Sequence, residues 1–158
     1  MATKRMEILL FTWLAAVAFT VPAVAQNPDM AVVVSDRNRV TTITPAELRR
    51  VFAGERRSWA VGLPIKLIVR SAGTSERTAL LKLLGMSESE YKQYWISQIF
   101  RGEADTEPLD LPSLGMQIEA LSVFPGAITL VTAQHIKPGM KVIKVNGHMP
   151  GEAGYPLH

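Results

Sequence analysis

Two hydrophobic periods alternate along this chain. Met30–Ser35 (MAVVVS) is a β-branched apolar run, and it predicts a buried strand. Ile65–Val69 (IKLIV), Ala127–Val131 (AITLV) and Lys141–Val145 (KVIKV) predict three more. Between them the spacing turns helical. Leu48, Val51 and Phe52 follow Thr44-Pro45-Ala46-Glu47, which has the N-cap, first-position proline and returning glutamate of a capping box; Gly54 ends the segment. Leu80, Leu81 and Leu84 form a second helical face that stops at Gly85. Ser87-Glu88-Ser89-Glu90 is another capping box, opening a helix through Tyr91, Tyr94, Trp95, Ile96 and Ile99. Ser113–Phe124 reads as a fourth helix and Pro125-Gly126 as a turn. Polar or proline-rich stretches over 36–42, 56–64 and 101–112 read as loops, and the Gly/Pro-rich tail from Gly147 to His158 as irregular. Strands alternating with helices predict an α/β layer structure with an open, mostly parallel sheet flanked by helices. No repeat or linker interrupts it.

The N-terminal segment has a separate logic. Lys4 and Arg5 precede the apolar run Ile8–Val21, Pro22 breaks it, and Ala23-Val24-Ala25 offers the small-x-small form of a cleavage site. These features predict a secretory signal peptide over 1–25, cleaved before Gln26, with one domain over 26–158. The expected location is the periplasm, with no membrane anchor after cleavage. The remaining chain is long enough, at roughly 130 residues, to bury a core of its own.

Charge and composition narrow the chemistry. The net charge is +3, and removal of Lys4, Arg5 and Glu7 lowers it by one. The basic residues are scattered apart from Arg49-Arg50 and Arg56-Arg57, unlike the dense stripe of a nucleic-acid binder. The absence of cysteine removes disulfides, thiol nucleophiles and thiolate metal sites. His135, His148 and His158 lack metal-ligand spacing. No nucleophile elbow is present, and the acidic cluster Glu103, Asp105, Glu107 and Asp110 reads as a solvated loop. No catalytic residues, metal or cofactor are expected.

One segment carries chemistry. Arg70-Ser71-Ala72-Gly73-Thr74-Ser75-Glu76-Arg77 joins a strand to a helix, where open α/β sheets bind ligands. Free N–H groups and the dipole of a helix start favour an anion. Gly73 lets backbone approach closely, while Ser71, Thr74 and Ser75 supply hydroxyls. Arg70 and Arg77 bracket the loop with forked donors. A purely structural use is equally open on this segment alone: Thr74 or Ser75 as helix cap, Arg77 paired to Glu76 or a neighbouring helix, Gly73 as a turn. The loop lacks the GK[ST] of a nucleotide-binding P-loop.

Several blocks in order resemble the Pst-type phosphate-binding proteins of ABC transporters, in the type II periplasmic-binding-protein superfamily. They are ITPAELRRVFAGERRSW, LPIKLIVRSAGTSER, YWISQIFRG, FPGAI and the closing GYPL. The resemblance implies a single periplasmic-binding-protein-like lobe that binds phosphate or a related oxyanion for uptake or sensing. It implies a partner such as an ABC permease or another envelope protein, and a binding role in place of catalysis. Arg70, Gly73, Thr74 and Ser75 match positions at which the family holds phosphate, and Arg77 is a plausible addition in short relatives. Three features depart from the pattern. The length suits one lobe of a two-lobed relative, the acidic position two after the loop arginine is Ala72, and the family's PGAIGY is here PGAITL, with Thr129 and Leu130. The competing expectation is a scaffold or accessory module of an envelope complex that binds no solute.

Overall fold

The computed structural model describes residues 28–60 and 62–158. The expected signal segment lies outside these residues. Six strands form one sheet: β1 (Met30–Val34), β2 (Thr42–Ile43), β3 (Lys66–Arg70), β4 (Leu109–Leu111), β5 (Ala127–Thr132) and β6 (Lys141–Val145), in the order β2-β6-β1-β5-β3-β4. Four helices accompany them: α1 (Pro45–Phe52), α2 (Ser75–Leu84), α3 (Glu88–Phe100) and α4 (Leu114–Val123). β3 runs parallel to β4 and β5, and β2 to β6. β1 is antiparallel to both of its neighbours, β5 and β6. Five strands therefore point one way and β1 points against them, so the sheet is mostly parallel as the alternation predicts.

The caps explain where the helices begin. Thr44 and Ser87 each accept from the backbone N–H three residues on, and Glu47 and Glu90 reach back to the cap, completing both boxes. Thr74 caps α2 and Ser113 caps α4. Gly85 takes the left-handed conformation that ends α2, at φ 69°.

Helices cover both faces. Alternate β1 residues serve different cores: Ala31 and Val33 pack with Ile68, Val131, Ala120 and Leu121 beneath α4, while Val32 and Val34 join Leu48, Phe52, Leu80, Tyr91 and Trp95 on the side of α1, α2 and α3. All five β1 residues are buried, which is why the run carries no polar alternation.

Three stretches read as loop or tail have more structure than expected. β2 and β4 arise where the sequence reads as loop, and both are short edge strands. The tail is fastened down. Tyr155 is buried and its Oη donates to the Met30 carbonyl at 2.6 Å, while the Met30 N–H donates to Leu157 O at 2.9 Å. His158 Nδ1 lies 2.7 Å from Asp29 Oδ1.

The Pro125-Gly126 turn shows why a side chain is absent there. Gly126 O accepts from Trp59 Nε1 at 3.0 Å and from Lys66 N at 3.1 Å. A Cβ at Gly126 would stand 1.8 Å from the Pro64 carbonyl oxygen. Gly126→Ala should therefore destabilise the domain by about 2 kcal/mol, through displacement of backbone that cannot rotate away. Chemical denaturation measures this, and an unchanged midpoint would contradict the packing.

Candidate functional site

The carboxyl ends of β2, β3, β4, β5 and β6 share one edge of the sheet, and α1, α2 and α4 all begin there. The segment from Arg70 to Arg77 lies on this edge. Arg70 is the last residue of β3, residues 71–74 form the turn, and α2 starts at Ser75. Gly73 has φ 86° and open space around it, so the turn needs a glycine and leaves room for a ligand beside it.

The two arginines have different surroundings. Arg70 is partly buried; its Nε and Nη1 are shielded from solvent and have no hydrogen-bond partner. A buried guanidinium N–H without an acceptor is costly, by ~1–3 kcal/mol or more for a charged group. Arg77 is satisfied. Its Nε and Nη2 donate to the Glu88 carboxylate at 3.0 and 2.8 Å, Nη1 lies 3.6 Å from Asp110 Oδ2, and the guanidinium stacks on Tyr91 with 4.3 Å to the ring centroid. Burial opposes the charge on Arg77, but the Glu88 hydrogen bonds, Tyr91 and Asp110 outweigh it and raise its pKa. On Glu88, the hydrogen bonds from Arg77 dominate burial and hold the carboxyl below its ordinary value of 4.5.

The hydroxyls are shared out in the same way. Thr74 Oγ1 accepts from Arg77 N and donates to Ser71 O, so this side chain is the cap of α2. Ser71 Oγ donates to Asp110 Oδ1. Ser75 Oγ donates to Glu76 Oε2 at 3.2 Å and sits 3.3 Å from Thr132 Oγ1. The backbone N–H groups of Ala72, Gly73 and Ser75 have no acceptor among the described residues. The edge thus brings together Arg70, three backbone donors, and the Ser75 and Thr132 hydroxyls.

Two residues at this edge escape a reading of the sequence. Thr132 ends β5, and the same carboxyl-end rule that singles out Arg70 applies to it. Glu76 is 7% exposed, and its carboxylate accepts from Thr132 Oγ1 at 2.9 Å and from Thr132 N at 3.4 Å. Burial raises its pKa. The hydrogen bonds from its own N–H, Thr132 and Ser75 prevail, however, so the carboxyl lies below its ordinary value and carries charge at neutral pH. His135, exposed in the 3₁₀ turn Ala133–His135, approaches Glu76 Oε1 at 4.0 Å. Glu76 thus puts a fixed negative charge beside a donor-rich loop.

No group of three or more metal-ligating side chains occurs among the described residues, and none of their helices is long and apolar enough to cross a membrane.

No family model matches the sequence. Solved structures do match the fold. A Clostridium perfringens protein assigned as a phosphate ABC-transporter substrate-binding protein, solved with bound phosphate, superposes with a TM-score of 0.63 at 16% identity, over 78% of this chain and 47% of its own. An ABC-type phosphate transport receptor from Vibrio cholerae matches with a TM-score of 0.62 at 19% identity, over 78% of this chain and 48% of its own. PstS from Borrelia burgdorferi matches with a TM-score of 0.60 at 18% identity, over 78% and 49%. The chain therefore has a periplasmic-binding-protein-like fold and spans about half the length of these proteins. That extent fits a short, single-lobe form.

Proposed function

We propose that this chain is a periplasmic solute-binding protein that holds phosphate, or a closely related small oxyanion, at the carboxyl end of β3, in the service of uptake or sensing. The observation that carries the reading is Arg70. Its Nε and Nη1 are buried without an acceptor, next to a turn with three free backbone N–H groups. An oxyanion supplies the missing acceptors. Charge-assisted bonds of this kind contribute about 1.5–3 kcal/mol each, so Arg70 with two or three further donors reaches micromolar affinity, near −8 kcal/mol, before ordering costs. The fold supports the reading, since structures of similar shape come from phosphate transport proteins, one with phosphate bound. Ligand contacts centre on Arg70, Gly73 and Ser75, with Ser71 and Thr74 contributing through backbone and turn geometry. Arg77 supports the loop through Glu88. The partner is an ABC permease or another envelope protein, and the role is binding in place of catalysis.

Isothermal titration of the Gln26–His158 protein with phosphate, and with sulfate for comparison, tests this. Saturable heat with phosphate is expected; none at millimolar phosphate would refute the site. A second reading, a module that docks on a protein and binds no solute, draws on the engagement of Arg77 and Ser71 by Glu88 and Asp110. It gains from that negative outcome.

Glu76 sets a further expectation. Its ionised carboxylate repels an anion seated beside Ser75. Glu76→Gln retains an acceptor for Thr132 and removes the charge, so it should tighten phosphate about tenfold, or ~1.4 kcal/mol. An unchanged or weakened affinity in the same titration would place the ligand away from Glu76.

A further inference from the structure

A second cleft, unrelated to the oxyanion loop, lies at the start of β3. Its volume is about 330 Å³, and Trp95, Ile65 and Leu67 contribute apolar surface to it. Its charged lining divides by sign and by stretch of chain. Arg56, Arg57 and Lys66 come from the stretch leading into β3, and Glu103, Asp105 and Glu107 from the stretch leading into β4. Arg56 lies 3.5 Å from Glu47, and Glu103 pairs with Arg101 at 3.1 Å. Arg57, Lys66, Asp105 and Glu107 form no ion pair with each other or with any other described residue. Backbone bonds anchor both stretches. Ile65 N donates to Arg57 O at 2.9 Å and Lys66 N to Gly126 O at 3.1 Å, while the N–H groups of Glu103 and Ala104 donate to Gln98 O at 2.8 and 3.2 Å. The cleft thus holds two cations and two carboxylates that leave one another unneutralised.

We infer that this cleft is a second ligand site, for a small zwitterion: a carboxylate and an ammonium group on a partly apolar body, as in a free amino acid. The charges select this class. An anion meets Arg57 and Lys66 but is repelled by Asp105 and Glu107, a cation meets the reverse, and a neutral apolar molecule answers none of the four. A zwitterion answers all of them. Its carboxylate takes the forked donors of Arg57 and the point charge of Lys66. Its ammonium donates to Asp105 and Glu107, and its body lies against Ile65, Leu67 and Trp95. The volume suits such a molecule, at the small end of the range of about 300–1,000 Å³ typical of ligand pockets. Anchored walls keep the ordering cost of binding low. The strand β3 separates the two sites, with Lys66 at the cleft and Arg70 at the oxyanion loop.

Titration calorimetry of the Gln26–His158 protein with L-leucine, L-phenylalanine and γ-aminobutyrate tests the proposal, since these vary the size of the body and the spacing of the two charges. At least one should bind saturably at millimolar concentration or below. The same molecule stripped of its ammonium group, or of its carboxylate, should bind at least tenfold more weakly. Arg57→Gln and Glu107→Gln alter exposed side chains of the cleft. Each should weaken binding at least tenfold and leave the circular dichroism spectrum unchanged. Lys92→Gln, on α3 and outside the cleft lining, should leave binding as it is. No saturable heat with any of the three molecules, equal binding of the single-charge analogues, or an affinity that both cleft substitutions leave intact would each overturn the inference. Phosphate affinity in both cleft variants should match the wild type, so the two sites stand or fall separately.

Discussion

Replacing Arg70 by Met is expected to weaken phosphate binding at least a hundredfold while leaving the domain as stable as before. The two halves of this expectation have one cause. A guanidinium whose Nε and Nη1 are buried without partners adds nothing to the free protein by hydrogen bonding, and its desolvation is a standing cost. Methionine fills a similar volume with no polar atom to satisfy. In the proposed complex the same guanidinium would supply the strongest donors to the ligand, and loss of two charge-assisted bonds amounts to about 3 kcal/mol or more. Titration calorimetry with phosphate and thermal melting without it give the two readouts. A binding loss accompanied by a large drop in melting temperature would mean that Arg70 is structural. Retained affinity would move the site elsewhere.

Arg77→Met should behave in the opposite way. Arg77 is nearly inaccessible, and it ties the start of α2 to the start of α3 through Glu88, to β4 through Asp110, and to the face of Tyr91. Removing one member of such a network leaves the others facing a void or an unpaired charge. Glu88 retains some access to water, which softens the loss. A cost of about 3–4 kcal/mol follows, toward the lower end for a broken buried pair, and in a domain of this size it lowers the melting temperature by roughly 10–15 °C. The pH dependence gives a second readout. The Glu88 carboxyl has a folded-state pKa below its ordinary value of 4.5, chiefly because Arg77 donates to it. Its contribution is complete above that ordinary value and is lost as pH falls through the lower, folded-state one. The wild type should therefore lose stability on acidification below about pH 4.5 more steeply than Arg77→Met. Parallel acid profiles would show that the pair contributes nothing. Phosphate affinity in Arg77→Met, measured below its melting transition, should fall far less than in Arg70→Met.

The contrast between these arginines marks the limit of what the sequence reveals. Helix starts were legible because a cap is a local device: Thr44 with Glu47, and Ser87 with Glu90, sit three residues apart. Central strands were legible from their β-branched runs. β2 and β4 were not, because two residues in TTIT and three in PLDLP have no period long enough to count, and pairing alone makes them strands. The loop from Arg70 to Arg77 was legible as a donor-rich strand-to-helix turn. What each side chain does there was not. Arg77 meets Glu88 from the next helix, and Glu76 meets Thr132 from a strand 56 residues on. Spacing along the chain says nothing about such contacts, which the order of strands in the sheet creates.

That order also governs how the chain reaches its folded state. β1 comes first of the six strands, yet both of its partners come last: Met30 pairs with Thr132, and Val34 with Lys141. Five buried residues, MAVVV, must wait until the last quarter of the domain has emerged before any sheet partner exists. Loop closure over that span precedes the reward of pairing, which slows folding relative to a locally connected fold. During the wait β1 is an apolar strand with two bare edges, the kind of segment that pairs with another chain when it cannot find its own. Nascent chains interrupted before β5 should accordingly aggregate through β1, whereas chains that include β6 should fold. Residues 30–34 are thus the stretch of this chain that most needs to be held apart from other chains until β5 and β6 arrive.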